Sequence, residues 1–453
     1  MKKILAFLLL AASPAWPADA PAPVEVDPLA GLILQRIAAQ GAPLCIAVAV
    51  VAETTRIAYA CSKDAGPVAL DRDTLFEIGS ASKAFTGILL ADLVATGKVK
   101  LDDPLAKYAP EGIVVPKRRG AEITLLDLAT QTSGLPRLPP GMRPADPQNP
   151  YADLTPAMLW AMLERSEPKE GGDSRYEYSN FGFMLLSDAL GRAGGSNYEE
   201  VLRERVLAPL GMASTSVRVT GVDAKRFAQG HDRAYQPVPH WDIVPALAGV
   251  GGLRSSIADM ARFIEGVLGR RERPPPATFA LATAVQRKVT DSSSIGLAWM
   301  TVKPGKHEVV FHNGQTAGFH SFIGVAFANS TGVVVLADSA ADIDDLGFHL
   351  LDPTVPMKKA RAEVPLDAEK LQEYVGRYEL SPKFAIEVTR EGARLFTQAT
   401  NQVRVEVFAE APDRFFLKAV DAQLVFERGA DGKVNGLVLH QLGRTMPGRR
   451  LPD

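Results

Sequence analysis

From Thr74 to Gly97 the chain reads as a short strand, a glycine and a long apolar helix, and this stretch organises the rest. Thr74-Leu75-Phe76-Glu77-Ile78 has strand character, Gly79 breaks it, and Ile88, Leu89, Leu90, Leu93 and Val94 mark a helix running to Gly97. Ser80 and Lys83 stand at the junction. Residues three apart share a helix face, so the Lys83 amine is expected one turn below the Ser80 hydroxyl. The Ser80 N–H, at the first turn, has no acceptor within the helix and lies at the positive end of its dipole, where an oxyanion could be held. One stretch thus offers nucleophile, base and half an oxyanion hole.

Ser-x-x-Lys alone is a weak signal, expected about once by chance in a chain of this length. A second copy, Ser166-Glu167-Pro168-Lys169, has Pro168 inside it, and proline belongs at a helix start or in a loop, not between two groups sharing an interior helix face. It is set aside.

With 453 residues, 46% hydrophobic content and a formal net charge of −2, the chain has ample material for a core, enough for two domains, and no nucleic-acid footprint. Met1-Lys2-Lys3 followed by the apolar run Ile4 to Ala12 is too short for a permanent membrane span and reads as a secretory signal over residues 1–20, implying export to the periplasm. The two cysteines, Cys45 and Cys61, fall opposite each other in the first expected hairpin. They form a disulfide or remain two buried thiols.

Along the chain, Pro28 to Gln40 looks helical, and Cys45 to Val51 and Arg56 to Cys61 look like strands. Leu135 to Asn149, rich in proline, is a loop long enough to be functional. Helical patterns occupy Pro156 to Glu164, Phe181 to Ala193, Tyr198 to Val206 and Ser256 to Leu268. Strands are expected at Gly296 to Val302, Glu308 to His312, Ser321 to Ala328 and Gly332 to Ala337. Helices set between early and late strands imply an α+β domain over residues 26–351 whose sheet joins both ends of the segment. A linker is expected at 352–370, and short strands separated by turns over 371–453 suggest a small all-β barrel or meander.

Two later tripeptides complete a serine acyl-transfer constellation. Tyr178-Ser179-Asn180 precedes a helix, where a phenol and an amide can project into a cleft, and His312-Asn313-Gly314 ends a strand, where Gly314 would let substrate lie against backbone. With these three motifs in order, the chain resembles the penicillin-recognising serine hydrolases: class C β-lactamases, D,D-carboxypeptidases, D-aminopeptidases and esterases of that fold. Supporting matches are Leu128-Ala129-Thr130-Gln131-Thr132-Ser133-Gly134-Leu135-Pro136, Gly251-Gly252-Leu253-Arg254-Ser255 and Asp259-Met260-Ala261-Arg262-Phe263. Segment for segment it is most similar to the periplasmic carboxypeptidase/endopeptidase branch, and the trailing segment resembles the lipocalin-like barrel appended to some of these peptidases.

The resemblance implies a β-lactamase/transpeptidase-like fold and a hydrolase needing no cofactor. Its substrate would be a small molecule or peptide, a peptidoglycan peptide or a β-lactam. Ser80 would attack, Lys83 and Tyr178 would share proton transfer, Asn180 would bind the substrate amide, and the backbone N–H groups of Ser80 and Gln315 would form the oxyanion hole. His312, Asn313 and Gly314 would bind substrate as well; they stand where β-lactamases of this class carry Lys-Thr-Gly, a departure associated more with peptidases and esterases. His312 would then face a substrate carboxylate with a charge that depends on pH. Lys303-Pro304-Gly305 is rejected as the third motif because Pro-Gly is a turn. The histidines show neither His-x-His nor His-Glu-x-x-His spacing, so no metal site is expected. A carboxylesterase of the same fold and a non-catalytic penicillin-binding receptor are the alternatives.

Overall fold

The computed structural model describes residues 27–452, apart from 42, 66–69, 170–174, 220, 234, 360, 362, 401, 403, 418–421 and 442–443. The expected signal segment, residues 1–20, lies outside the described residues. Among the described residues ten strands build the first domain: β1 Cys45–Val51, β2 Thr55–Cys61, β3 Leu75–Glu77, β4 Arg254–Ser256, β5 Arg287–Thr290, β6 Ser293–Ile295, β7 Met300–Val302, β8 Val309–Gln315, β9 His320–Ala326 and β10 Thr331–Ala337. Eight of them form one sheet in the order β2-β1-β10-β9-β8-β7-β6-β5, and β3 pairs with β4 in a separate ribbon. The register Ile46↔Ala337 through Val51↔Gly332 ties the early hairpin to the late meander, with the helices inserted between.

Alternation along the strands gives the sheet two apolar faces. Ala47, Ala49, Val310, Ile323, Val325, Val334 and Leu336 pack into the large core under the helical region. Ile46, Val48, Phe322, Val333 and Val335 pack on the opposite side, with Ile33 and Ile37 of the helix Pro28–Gln40 and Leu346 of the helix Asp344–Leu351. Buried Arg36 links those two helices, donating from Nε to Asp345 at 2.8 and 3.0 Å. Cys45 and Cys61, directly opposed in register, are joined as a disulfide.

The helix Ser82–Ala95 runs through the middle of the larger core and is buried on all sides from Ser82 to Leu93, as an apolar helix must be. One expected strand is corrected. Gly296 to Val302 is not continuous, because Gly296–Trp299 is a turn closed by Gly296 N–H to Trp299 O at 2.7 Å, with Ala298 at φ 73°. The pattern was apolar throughout, but Leu297 and Trp299 are buried by the helical side of the domain, not by sheet pairing.

Beyond the Asp344–Leu351 helix the stretch expected as a linker is partly built into its neighbours. Asp352 accepts from the backbone N–H groups of Lys306 and His307, Val364 N–H donates to Ala409 O, and Ala368–Gln372 is a short helix. Eight strands between Gly376 and Arg450 then close an antiparallel barrel in sequential order, around Tyr378, Ile386, Val388, Phe426 and Leu437. Among the described residues no helix is long and apolar enough to cross a membrane.

Candidate active site

Ser80 sits in a single 3-10 turn, Gly79–Ala81, that leads into the Ser82–Ala95 helix. Gly79 enters it at φ 49°, and a Cβ there would lie 2.7 Å from Gln315 N, so only glycine lets the turn press against the end of β8. Gly314 is required by the same contact from the other side, since its Cβ would fall 2.0 Å from Ile78 O. That revises the sequence expectation: Gly314 makes room for the Ser80 turn, not for substrate. The Gly251–Ser255 stretch holds the turn from behind, with Ile78 N–H donating to Leu253 O at 3.1 Å and Leu253 N–H to Ser82 Oγ at 3.1 Å.

Lys83, fully buried, reaches Ser80 Oγ at 2.9 Å and donates to Val250 O at 2.6 Å. Tyr178 donates to Ser80 Oγ at 2.8 Å, and its ring lies 4.9 Å from Lys83 Nζ. The loop carrying Tyr178 is fixed by the 128–136 stretch. Ser179 N–H donates to Gln131 Oε1 at 2.7 Å, Ser179 Oγ to Pro136 O at 2.7 Å, and Glu177 N–H to Gln131 O at 2.8 Å. Ser179 also caps the helix Asn180–Gly194 by accepting from Gly182 N–H. The Asn180 Oδ1 atom is buried and has no hydrogen-bond partner.

On β8 the strand period separates the two polar members of the third motif. His312 and Gly314 lie on the face toward Ser80, whereas Asn313 lies on the other face and donates from Nδ2 to Asp344 Oδ2 at 2.5 Å. The Asn313 side chain therefore does not reach substrate, contrary to the sequence expectation. His312 is buried, and its Nδ1 is 2.6 Å from Asn313 O. A carbonyl only accepts, so Nδ1 carries the hydrogen and Nε2 is left with its lone pair. Beyond Phe311 the second edge of β8 is free of β7, which pairs only with Val309, Val310 and Phe311. An extended substrate can align along His312–Gln315 there.

Burial controls the electrostatics. It pushes the Lys83 amine well below its ordinary value, and the positive charge of Arg137 pushes the same way. Burial raises the Tyr178 phenol, only partly offset by its hydrogen bond to Ser80. Burial, and then the nearby Lys83, bring His312 down to about 3. The pH-dependent charge expected of His312 near neutrality is thus moved to far lower pH, and the ring is neutral near pH 7.

The alternative Ser-x-x-Lys is dispersed, as Ser166 donates to Leu163 O at 2.7 Å and Lys169 pairs with Glu177. His320, Asp342 and Asp344 bring three potential metal-ligand atoms within 4.8 Å, but on the Asn313 face of the sheet. There Asp344 already accepts from His320 Nε2 at 2.9 Å and from Asn313.

A buried lysine and a tyrosine converging on a serine at the start of a core helix, beside an antiparallel sheet, define the penicillin-recognising class of serine hydrolase. The comparisons place the chain within it. Residues 32–349 match the family described as Beta-lactamase, and the chain belongs to that family; residues 360–450 match a domain of unknown function, DUF3471. The D-alanyl-D-alanine-carboxypeptidase/endopeptidase AmpH of Escherichia coli (strain K12) is 31% identical over 278 residues, covering 58% of this chain and 71% of that protein. Penicillin-binding protein 4* of Bacillus subtilis (strain 168) is 24% identical over 408 residues, covering 83% and 87%. Among solved structures, a β-lactamase/D-alanine carboxypeptidase from Yersinia pestis aligns with a TM-score of 0.61 at 25% identity over 72% of this chain and 99% of that one. A class C β-lactamase in complex with cefoxitin aligns at 0.62 and 21% identity, over 72% and 97%, a likeness of fold.

Proposed function

We propose that the protein is an exported enzyme that cleaves D-amino-acid-terminated peptides, or β-lactams, through an acyl-Ser80 intermediate. The observation that carries this reading is the convergence on Ser80 Oγ: the Tyr178 hydroxyl donates to it at 2.8 Å and Lys83 Nζ lies 2.9 Å from it, and burial, with Arg137, pushes that amine well below its ordinary value, toward the form that can accept the serine proton. In this scheme Ser80 Oγ attacks the carbonyl carbon and its proton passes to Lys83 Nζ. The oxyanion rests on the N–H groups of Ser80 and Gln315. As the carbon–nitrogen bond breaks, Tyr178 gives its proton to the leaving nitrogen and regains one from Lys83. The products are a free amine, the acyl-enzyme and a neutral lysine, ready to take a proton from the water that releases Ser80.

Asn180 suits the substrate amide because its carbonyl oxygen is buried and unpartnered. The names of the relatives, a D-alanyl-D-alanine carboxypeptidase/endopeptidase and a penicillin-binding protein, favour peptides with D-alanine ends. Export rests on the basic, then apolar, start of the chain. A carboxylesterase is the second reading, favoured by the neutral His312 on β8. One panel tests both: a D-Ala-D-Ala peptide, nitrocefin and p-nitrophenyl butyrate, each with the wild type and Ser80→Ala. Peptide release that disappears in Ser80→Ala supports the first reading, and ester turnover alone the second. Turnover of all three surviving in Ser80→Ala would falsify the mechanism.

A further inference from the structure

The strand that was expected to anchor a substrate anion does not carry a charge, yet a cation does stand at the site. Arg137 lies in the proline-bearing loop just after the 128–136 stretch, is exposed, and holds its guanidinium carbon 5.2 Å from the centre of the Tyr178 ring. Its charge is felt at Lys83, Tyr178, Tyr176 and Tyr151. Lys83 Nζ lies 4.9 Å from the centre of the same Tyr178 ring, so the amine and the guanidinium flank one phenol.

The position of Arg137 is built. Its carbonyl accepts from the N–H groups of Asn180 at 2.9 Å and Phe181 at 3.2 Å, and the preceding Pro136 carbonyl accepts from Ser179 Oγ. The arginine is therefore tied to the tripeptide that supplies Tyr178 and Asn180. Among the described residues no carboxylate pairs with Arg137, whereas the neighbouring acid Glu177 is taken by Lys169. The charges acting on Lys83, Tyr178 and His312 include no carboxylate. The Arg137 guanidinium fork is exposed to solvent beside the Tyr178 ring. Such a fork matches a carboxylate in two parallel hydrogen bonds.

We propose that Arg137 binds a carboxylate of the substrate and gives the enzyme its preference for anionic over neutral substrates. The inference rests on the acyl-Ser80 reading for the location of the substrate. Arg137 is a specificity residue here, and takes no part in proton transfer. The carboxylate comes from the acyl part or from the departing residue, and the two sources need separate substrate pairs.

The first pair is p-nitrophenyl hemisuccinate against p-nitrophenyl butyrate, and the second is a D-Ala-D-Ala peptide with a free C-terminus against its amide. Each is measured with the wild type, Arg137→Gln and Arg137→Lys. The expected result is that Arg137→Gln lowers kcat/KM for the carboxylate-bearing member of at least one pair by about tenfold more than for its neutral partner, mostly through KM. Arg137→Lys, which keeps the charge and loses the fork, should recover part of the difference. The pair that responds identifies the source.

Two results overturn the proposal. One is an unchanged ratio in both pairs. The other is an equal fall for charged and neutral members with the acid limb of kcat moved to higher pH, which would mean that Arg137 acts only by keeping Lys83 deprotonated. Failure of the underlying mechanism is read separately, as turnover that persists in Ser80→Ala whatever the Arg137 ratios are.

Discussion

At the scale of single residues, the site turns on which side chains burial leaves neutral. Lys83 and Tyr178 both contact Ser80, so Lys83→Ala and Tyr178→Phe should each lower kcat by at least about a hundredfold with smaller changes in KM, as expected of acid-base groups. Ser166→Ala, measured beside them, should leave turnover unchanged, since that hydroxyl only caps a carbonyl. For His312 the sign is fixed by burial. Its folded pKa of about 3 lies below the ordinary value of 6.5, so the native state binds fewer protons than the unfolded chain. Its contribution to stability is present above about pH 6.5 and is lost as pH falls toward 3. The urea midpoint should therefore drop more steeply over that window in the wild type than in His312→Gln. KM for a carboxylate-bearing peptide should not rise between about pH 6 and 8 on account of this residue. A rise abolished by His312→Gln would show that the ring is charged when substrate is bound. The Ser80, Lys83 and Tyr178 constellation was legible because one helix face and one loop-to-helix junction dictate it. The charge state of His312 was not, because it depends on tertiary burial. The outward aim of Asn313 was readable, since adjacent residues on a strand face opposite ways. Arg137 gave no signal, as an irregular proline-bearing loop has no periodicity to place a side chain.

At the scale of elements, the β8–β9 hairpin has to hold Gln315 against the Ser80 turn, and the helix Asp344–Leu351 does this from the far face. Asp344 accepts from Asn313 on β8 and from His320 on β9, the residue paired with Gln315. Removing a charged acceptor from two largely buried donors costs about 2 kcal/mol. Asp344→Ala should therefore lower the urea midpoint and also kcat by about tenfold, while KM for a neutral ester changes little. If stability falls and kcat does not, the helix holds the sheet together but does not position Gln315. The disulfide is a contrasting element, because β2 is the outer strand of the sheet order, four places from β8. Closing a loop of about fifteen residues is worth about 3 kcal/mol in the chain-entropy model. The double change Cys45→Ala with Cys61→Ala should lower the urea midpoint accordingly and leave kcat at 25 °C within about twofold. Element positions followed from periodicity where one face is buried. They failed at Gly296–Trp299, where an apolar run is buried as a turn and the sequence cannot say which neighbour covers it.

At the scale of the whole molecule, the question is whether the barrel is needed for chemistry. The two cores of the hydrolase region draw on residues from Leu29 to Leu351, with Met357 packed at their margin, whereas the barrel core begins with Leu366 and Leu371. Among the described residues no apolar side chain is shared between those clusters. The crossing stretch is committed on both sides of a narrow interval: Lys358 N–H donates to Asp345 Oδ2 at 2.7 Å, whereas Val364 N–H donates to Ala409 O. A chain ending at Lys359 keeps every residue of the proposed acid-base site and both cores around it. A domain of that length buries enough surface to fold alone. It should melt cooperatively and hydrolyse p-nitrophenyl butyrate with kcat/KM within about threefold of the full chain. Peptide substrates are the more demanding arm, because on the proposed reading they would extend beyond Ser80 along the free edge of β8. If kcat/KM for a long peptide falls by more than about tenfold while the small ester is unaffected, the barrel contributes to binding of extended substrate. If the shortened chain fails to fold or loses the ester activity as well, the separation of cores does not mean independence, and the barrel stabilises the hydrolase domain through polar contacts.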